Sequence, residues 1–181
     1  MLSAPEPLAG HHQTEVFDSG VASLDDWLKR RAIQNQASGA SRTFVTCEGG
    51  RVVGYYALAS GAVTSVAAHG RFRRNMPDPV PVAVLARLAV ERTYHGQGLG
   101  RSLFQDAARR VLYAAETIGI RGLLVHALSD EAKAFYLRLG LDPSPLEPMT
   151  LMTTLADLRA SLTIERNDEM EGSSTFAEPA S

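Results

Sequence analysis

The chain has 181 residues, of which 45% are hydrophobic, and this is enough for one ordinary domain with a buried core. Its formal net charge of -2 argues against a generic nucleic-acid binder, and its single cysteine, Cys47, excludes an intrachain disulfide. No apolar stretch approaches the ~20 residues that a membrane span needs, and we expect no signal peptide, because the first residues lack a basic start followed by an apolar stretch. We therefore expect a cytoplasmic protein without a membrane anchor.

Positive charge is concentrated before residue 165. Residues 165–181 hold five acids and one arginine, which leaves 17 basic and 15 acidic residues in residues 1–164. Fifteen of those 17 are arginines, whose planar guanidinium groups pair bidentately with phosphate. We expect a slightly basic folded domain over residues 1–164, followed by an acidic, mobile tail over residues 165–181.

The first half of the chain predicts one helix and a β-hairpin after an irregular start. Ser23 and Asp26 resemble a helix start with a side-chain cap, and the apolar spacing predicts a helix over about residues 24–36. Two strands are predicted over residues 42–48 and 51–66, with a pair of glycines as the hairpin turn between them.

The second half alternates strands and helices. Residues 67–81 read as a loop, and residues 82–90 (VAVLARLAV) are almost wholly apolar, as in a strand covered on both faces. Helical spacing over residues 98–118 predicts a long amphipathic helix. Further strands are predicted over residues 122–128 and 149–155, and further helices over residues 130–140, capped by Ser129, and 156–162. The order predicts an α/β (α+β) fold with one central sheet.

A glycine-rich turn, HGQGLGRSL from His95 onward, joins the apolar strand to the long helix. Glycines allow positive φ and close backbone approach, and the first N–H groups of a helix lie without partners at the positive end of its dipole. Such a place attracts a diphosphate, and Arg101 adds a fixed positive charge. The spacing is neither the dinucleotide fingerprint nor a P-loop. The turn alone therefore leaves open a tight connection that holds no ligand.

Two segments resemble a known family. HGQGLGRSL resembles the acetyl-CoA signature (Q/R)-x-x-G-x-(G/A) of the GNAT acetyltransferases, with His95 at the position that usually holds Gln or Arg. Residues 134–141 (AFYLRLGL) resemble the family segment A-x-x-F-Y-x-x-x-G-F, with Tyr136 at the tyrosine and Leu141 in place of Phe. The resemblance implies the GNAT fold, which is a central mixed, splayed sheet flanked by helices. It also implies acetyl transfer from acetyl-CoA.

Further segments narrow the resemblance to GNAT toxins of type II toxin–antitoxin systems. They cover most of residues 5–162 and comprise PEPL, LDDWLKRRAIQNQASGASRTFV, VVGYYALASGAV, PVPVAVLARLAV and PSPLEPMTLMTTLADL. The resemblance implies acetylation of the α-amine of aminoacyl-tRNA, which blocks translation, together with a ribbon-helix-helix antitoxin and a homodimer. Two alternatives remain: an acceptor that is a small amine, a peptide or a protein amine, and a coenzyme-binding module without catalysis.

The resemblance also implies roles for particular residues. The backbone of Leu88, Ala89 and Val90 pairs with the pantetheine amides like an added strand, and Tyr136 donates a proton to the leaving thiolate. From the sequence alone, Tyr136 is equally a packed aromatic whose hydroxyl bonds to the backbone. The residues that grip the pyrophosphate are then His95, Gly96, Gln97, Gly98, Leu99, Gly100 and Arg101. The residues that hold tRNA phosphates are Lys29, Arg30, Arg31, Arg71, Arg73 and Arg74. A solvated charged face is the alternative interpretation of this last set.

No carboxylate in the sequence stands out as a general base, although Glu91 follows the apolar strand and is the nearest candidate. An α-amine has a pKa of ~7.7–8.0 and is partly neutral at pH 7, whereas a lysine ε-amine, with a pKa of ~10.4, depends much more on a base to remove its proton. The lack of an obvious base therefore favours an α-amine acceptor. The histidines His11, His12, His69 and His126 show no metal-ligand spacing, so we expect no metal cofactor.

Overall fold

The computed structural model describes residues 1–173. Within that range seven strands form one sheet in the order β1-β2-β3-β4-β5-β7-β6, in which only β4 and β5 run parallel. The strands are β1 (Glu6–Pro7), β2 (Arg42–Glu48), β3 (Arg51–Val63), β4 (Val80–Val90), β5 (Gly122–His126), β6 (Asp142–Pro143) and β7 (Thr150–Thr154). The helices are α1 (Ala22–Arg30), α2 (Ala32–Ser38), α3 (Gly70–Arg73), α4 (Leu99–Ala114), α5 (Asp130–Arg138) and α6 (Leu155–Ser173). The predicted mixed α/β fold with one central sheet is confirmed.

Helices cover both faces of the sheet. Leu103 of α4, Tyr136 of α5 and Leu158 of α6 belong to one cluster on the first face, which we call the α4 face. The second face, which we call the α1 face, carries two separate clusters: one contains Leu28 of α1 and the other contains Phe72 of α3. The α1 face is therefore covered in two parts, whereas the α4 face has one continuous core.

Strands β4 and β5 separate after a short parallel contact. In the described part of the chain they pair only where Ala83–Leu85 meets Leu123–Val125, and β4 then continues along β3 to Val90. The residues on either side of Ala86 pair with consecutive residues of β3, so Ala86 is an extra residue in β4. Such a bulge bends a strand and increases its twist. As a result, β4 leaves β5 near Ala86 and exposes a backbone edge in the split between them.

The prediction of one continuous helix over residues 24–36 is wrong, because the structure has two helices, α1 and α2, that meet at a break. Arg31 at this break has φ -119°, outside the helical range. The break turns α2 toward the sheet, where the Oε1 atom of Gln36 accepts a hydrogen bond from the backbone N–H of Thr43 at 2.8 Å. The residues of the predicted charged group Lys29–Arg31 consequently lie at the end of α1 and in the break.

Two other predicted boundaries also differ from the structure. The loop predicted over residues 67–81 contains α3, which Arg121 anchors by donating from Nε to the carbonyl of Phe72 at 2.8 Å. The helix predicted over residues 98–118 ends at Ala114, and separate turns follow it. In both cases the difference depends on hydrogen bonds that the apolar spacing does not encode.

Helix α6 continues past the predicted end of the folded domain. It crosses residue 164 without a break and ends at Ser173. Glu165, the first residue of the predicted mobile tail, forms an ion pair with α4, so order extends beyond the boundary drawn from composition. The rest of the predicted tail, residues 174–181, lies outside the described residues.

Candidate active site

The glycine turn has the backbone conformation that its sequence predicts. After β4 a single 3-10 turn over Arg92–Tyr94 leads to Gly96 and Gly98, whose φ angles are +75° and +81°. Residues with a side chain rarely adopt these angles, whereas glycine does so without steric cost. Gly98 is the N-cap of α4, and in the described part of the chain no side-chain hydrogen bond caps this helix. The first N–H groups of α4 are therefore available to a ligand.

A cleft of about 480 Å³ opens between this turn and α5. Its lining residues come from β4, the turn, α4 and the end of α5: Val90, Tyr94, His95, Gly96, Gly98, Leu99, Gly100, Arg101, Phe135, Arg138 and Leu139. Three of the residues predicted to bind the coenzyme, Leu88, Ala89 and Gln97, are not in this lining. Gln97 instead donates from its side chain to the carbonyl of Thr93 at 3.1 Å, which closes the turn.

The backbone of β4 beside the cleft has one free edge. The N–H of Glu91 donates to Val53 on β3 at 2.9 Å, and backbone groups alternate between the two edges of a strand, so Leu88 and Val90 point toward the split. The backbone N–H and C=O groups of Ala89 point toward β3, and its side chain is buried under α1. The Nε2 atom of His95 lies 2.6 Å from the carbonyl oxygen of Val90. This histidine therefore contacts the free edge itself.

Arg101 lies at the cleft with a partner that the sequence does not reveal. Its Nη2 atom is 2.6 Å from Oε1 of Glu165 on α6, and the amide of Gln105 donates to the other carboxylate oxygen. The arginine side chain remains 58% exposed, so an anion can still approach it. A carboxylate thus already occupies part of the positive site that the turn and α4 offer.

Tyr136 is the other residue to which the sequence assigns chemistry. It lies on α5, where Ser129 caps the helix as predicted by accepting from the N–H of Ala132 at 3.1 Å. The residue is 6% exposed, and its ring packs against Phe104 and Phe135. Burial raises the pKa of the Tyr136 phenol above its usual range, so the hydroxyl stays protonated at neutral pH. No described residue hydrogen-bonds to this hydroxyl, which leaves its proton free for a ligand.

The α1 face of the split holds polar side chains to which the sequence patterns assign no role. Arg87 of β4 lies with its guanidinium carbon 5.2 Å from the centre of the Trp27 ring, and its Nη1 donates to the carbonyl of Ala86 at 2.7 Å. His126 ends β5 and contacts Thr150 of β7. In the sequence, both residues are recognisable as a single charged or polar residue within an otherwise apolar strand or at its end.

The predicted phosphate-binding residues lie on or directly beside α1 and α3, the helices that pack on the α1 face. Each is exposed, and they form two groups, one from the end of α1 and one from α3: Lys29, Arg30 and Arg31, and Arg71, Arg73 and Arg74. Within the second group Arg71 is bound to Asp157 of α6, with a nitrogen–oxygen distance of 2.6 Å. Among residues 1–168, whose side chains are described, Arg73 and Arg74 have no acidic partner.

Glu91 and the histidines near the N-terminus have structural partners. The Glu91 carboxylate is buried and accepts from Arg51 at 2.6 Å, so it is held away from proton transfer. The ligand atoms of Glu6, His11 and His12 lie within 4.8 Å of one another. However, Nδ1 of His12 accepts the N–H of residue 9, which leaves the proton on Nε2, where it is donated to Glu6.

Comparison with known proteins agrees with this geometry. Residues 39–140 match the family model described as an acetyltransferase (GNAT) domain. The chain belongs to the GNAT family and is an acetyl-CoA-dependent N-acetyltransferase. Among the described residues, no helix combines the length and the apolar character that crossing a membrane requires.

Within that family the chain is similar to toxins. It is 53% identical over 158 residues to the tRNA-acetylating toxin of Mycobacterium tuberculosis (strain ATCC 25618 / H37Rv), which covers 87% of this chain and 95% of that protein. The structure of AtaT complexed with acetyl-methionyl-tRNAfMet matches with a TM-score of 0.82 and 26% identity, over 88% of this chain and 98% of that one. A tyrosine-to-phenylalanine variant of AtaT, bound to the C-terminus of the antitoxin AtaR and acetyl-CoA, matches with a TM-score of 0.77 and 26% identity, over 90% and 99%.

Proposed function

We propose that this protein transfers the acetyl group of acetyl-CoA to the α-amine of aminoacyl-tRNA and so blocks translation, as the toxin of a type II toxin–antitoxin pair in the cytoplasm. The observation that carries the proposal is the 53% identity to a tRNA-acetylating toxin across 87% of this chain. We propose that residues 1–164 carry the activity, although α6 continues past this boundary and Glu165 contacts Arg101 of α4.

In this proposal the donor lies along the split between β4 and β5. Its pantetheine arm pairs with the free edge of β4 at Leu88 and Val90, as an added strand does. Its pyrophosphate lies on the glycine turn, where the uncapped start of α4 and the charge of Arg101 favour an anion. Tyr136 then donates its proton to the sulfur as the thiolate leaves. The open backbone edge and the free phenol support these assignments.

The partners in the proposal are charged tRNA, an antitoxin and a second copy of the chain. The similarity to AtaT, which is described in complex with the C-terminus of the antitoxin AtaR, supports an antitoxin for this chain. We propose that the antitoxin is a ribbon-helix-helix protein and that the toxin is a homodimer. Both follow from the resemblance to the toxin subgroup.

A labelling experiment tests the function directly. The purified protein is incubated with radiolabelled acetyl-CoA and with charged tRNA, the same tRNA uncharged, or a panel of small amines, peptides and proteins. We expect label only in charged tRNA, and release of the N-acetylated amino acid when the ester is hydrolysed. Label in the small-molecule or protein fractions alone would contradict the proposal, and so would tight acetyl-CoA binding without any transfer.

We expect Arg73 and Arg74 to contribute to the salt dependence of tRNA binding. Each phosphate contact contributes about 0.7–0.9 to the slope of log K against log salt concentration. Replacing both arginines with glutamine should therefore reduce the magnitude of that slope by about 1.5, because the two guanidinium groups have no acidic partner among the described side chains. Filter binding of charged tRNA at several salt concentrations measures this slope.

A charge-matched control distinguishes local contacts from a general loss of positive charge. Arg109 of α4 and Arg159 of α6 lie on exposed helical surface at the α4 face. Their double replacement with glutamine should leave the slope unchanged. Equal slopes for the wild type and the Arg73/Arg74 double variant would show that these residues do not contact tRNA.

We also expect Glu165 to weaken acetyl-CoA binding, because its carboxylate competes with phosphate for Arg101. Exposed ion pairs contribute about 0.2–1 kcal/mol, so Glu165→Gln should lower the Kd for acetyl-CoA by at most about fivefold. Isothermal titration calorimetry measures the effect. Asp157→Asn is the control, because it removes another α6 ion pair, that with Arg71, and should leave this Kd unchanged. A higher Kd in Glu165→Gln would mean that the carboxylate instead positions Arg101 for binding.

A further inference from the structure

His126 lies at the point where the central strands part. Its neighbour Val125 is the last residue of β5 that pairs with β4. From the bulge at Ala86 to Val90 the free edge of β4 spans about 14 Å, at ~3.4 Å per residue, and the glycine turn follows its far end. A donor whose pyrophosphate is at the turn and whose arm extends along this edge therefore presents its thioester at the near end, beside His126.

The imidazole of His126 lies on the α1 face of the sheet. Side chains alternate between the two faces along a strand: Val125 belongs to the cluster on the α4 face, and Leu124 belongs to the α3 cluster on the α1 face. His126 therefore shares the face of Leu124, and it is exposed. Tyr136 belongs to the cluster on the α4 face. The imidazole and the phenol thus approach the split from opposite sides.

Contacts with β7 and the turn before it select the tautomer of the neutral His126 ring. Nδ1 lies 2.8 Å from Oγ1 of Thr150, and this hydroxyl donates to the carboxylate of Glu147 at 3.1 Å. A carboxylate only accepts, and a hydroxyl has one proton, so the Thr150 oxygen must accept its second hydrogen bond from Nδ1–H. In the neutral ring Nε2 therefore keeps its lone pair. No described residue hydrogen-bonds to Nε2.

We propose that Nε2 of His126 is the general base that accepts the proton of the acceptor amine, and that Thr150 and Glu147 are positioning residues that hold the ring in this tautomer. The inference rests on the proposed function. As the amine nitrogen bonds to the acetyl carbon, Nε2 accepts the proton that this nitrogen loses. As the carbon–sulfur bond breaks, the Tyr136 hydroxyl supplies a proton to the sulfur. Water then returns a proton from the imidazolium to the phenolate, and the products are an amide and a free thiol.

His126 would supply the general base for which no carboxylate stands out in the sequence. Glu91, the carboxylate nearest to the split in sequence, is engaged by Arg51. An imidazole is the side chain that most often transfers protons near neutral pH. Because part of an α-amine is already neutral at pH 7, the base assists the reaction without being the sole source of reactive amine.

Two variants and an added base test the catalytic role. His126→Gln and His126→Ala should lower kcat with charged tRNA about 100-fold, the lower end of general-base effects, with an unchanged Kd for acetyl-CoA. Added imidazole should restore part of the rate of His126→Ala. His11→Gln is the matched control. It removes an exposed imidazole that is distant from His126 in the sequence, and it should keep the wild-type rate. A wild-type kcat in both His126 variants overturns the inference, and so does a loss that imidazole does not relieve.

The tautomer is tested in the free protein, independently of any acceptor. Nitrogen-15 NMR of the His126 ring should report a proton on Nδ1 and none on Nε2 in the neutral form, and Thr150→Val should abolish that preference. A proton on Nε2 in the wild type overturns the inference. If the wild type leaves charged tRNA unlabelled, the proposed function fails, whereas this spectrum still tests the tautomer of His126 on its own.

Discussion

We expect Tyr136→Phe to lower kcat for acetyl transfer about 100- to 1,000-fold, as the loss of a general acid does. The substituted ring fills the same space between Phe104 and Phe135, so the change removes only the hydroxyl. Without that proton the leaving thiolate has no described donor on the α4 face. Single-turnover transfer to charged tRNA measures the rate, and calorimetry should give an unchanged Kd for acetyl-CoA.

The raised pKa of Tyr136 also determines how the rate of acetyl transfer should depend on pH. The protonated, donating form is lost only as the pH rises through the raised value, so alkaline pH below the ordinary tyrosine value of ~10 does not remove the donor. Tyr113→Phe is the matched control, since Tyr113 is 76% exposed on α4, and its rate should equal that of the wild type. Undiminished transfer by Tyr136→Phe would end the assignment of the acid.

The parts of the site that follow from short-range chemistry were predictable from the sequence. The positive φ angles at Gly96 and Gly98 could be predicted because glycine adopts such angles without steric cost. The start of α5 follows from the cap at Ser129. The strand at residues 82–90 follows from its apolar run, because Val82 and Leu85 are each buried on a different face. These features depend on residues only a few positions apart.

The remaining features depend on residues that are distant in sequence. The split between β4 and β5 is set by an extra residue, Ala86, and its position follows from the register with β3, which no local pattern encodes. The ion pair of Arg101 with Glu165 joins residues 64 positions apart, and composition alone placed Glu165 in a mobile tail. The contact of His126 with Thr150 likewise needs the pairing of β5 with β7. Local sequence patterns therefore predict the glycine turn and the start of α5, whereas the contacts of Arg101 and His126 depend on the tertiary fold.

We expect Gly98→Val to raise the Kd for acetyl-CoA about 10- to 100-fold, because hydrogen bonds to a charged group contribute about 1.5–3 kcal/mol and 1.4 kcal/mol equals one tenfold change. Apart from Gly98 and its two chain neighbours, no heavy atom of the described residues lies within 4 Å of the position that a Cβ would take at Gly98. The cost is therefore conformational: a β-branched residue resists the φ of +81°, and the start of α4 must shift. Displaced N–H groups no longer converge on the pyrophosphate, and calorimetry measures the loss.

Gly39→Val separates this effect from general destabilisation. Gly39 ends α2 with the same φ of +81° but is absent from the lining of the donor cleft. Both variants should lower the melting temperature, because each forces a side chain into the left-handed region. Only Gly98→Val should weaken acetyl-CoA binding. If the two variants bound the donor equally well, backbone geometry at the turn would not be what holds the pyrophosphate, and the site would have to depend on Arg101 and the edge of β4 alone.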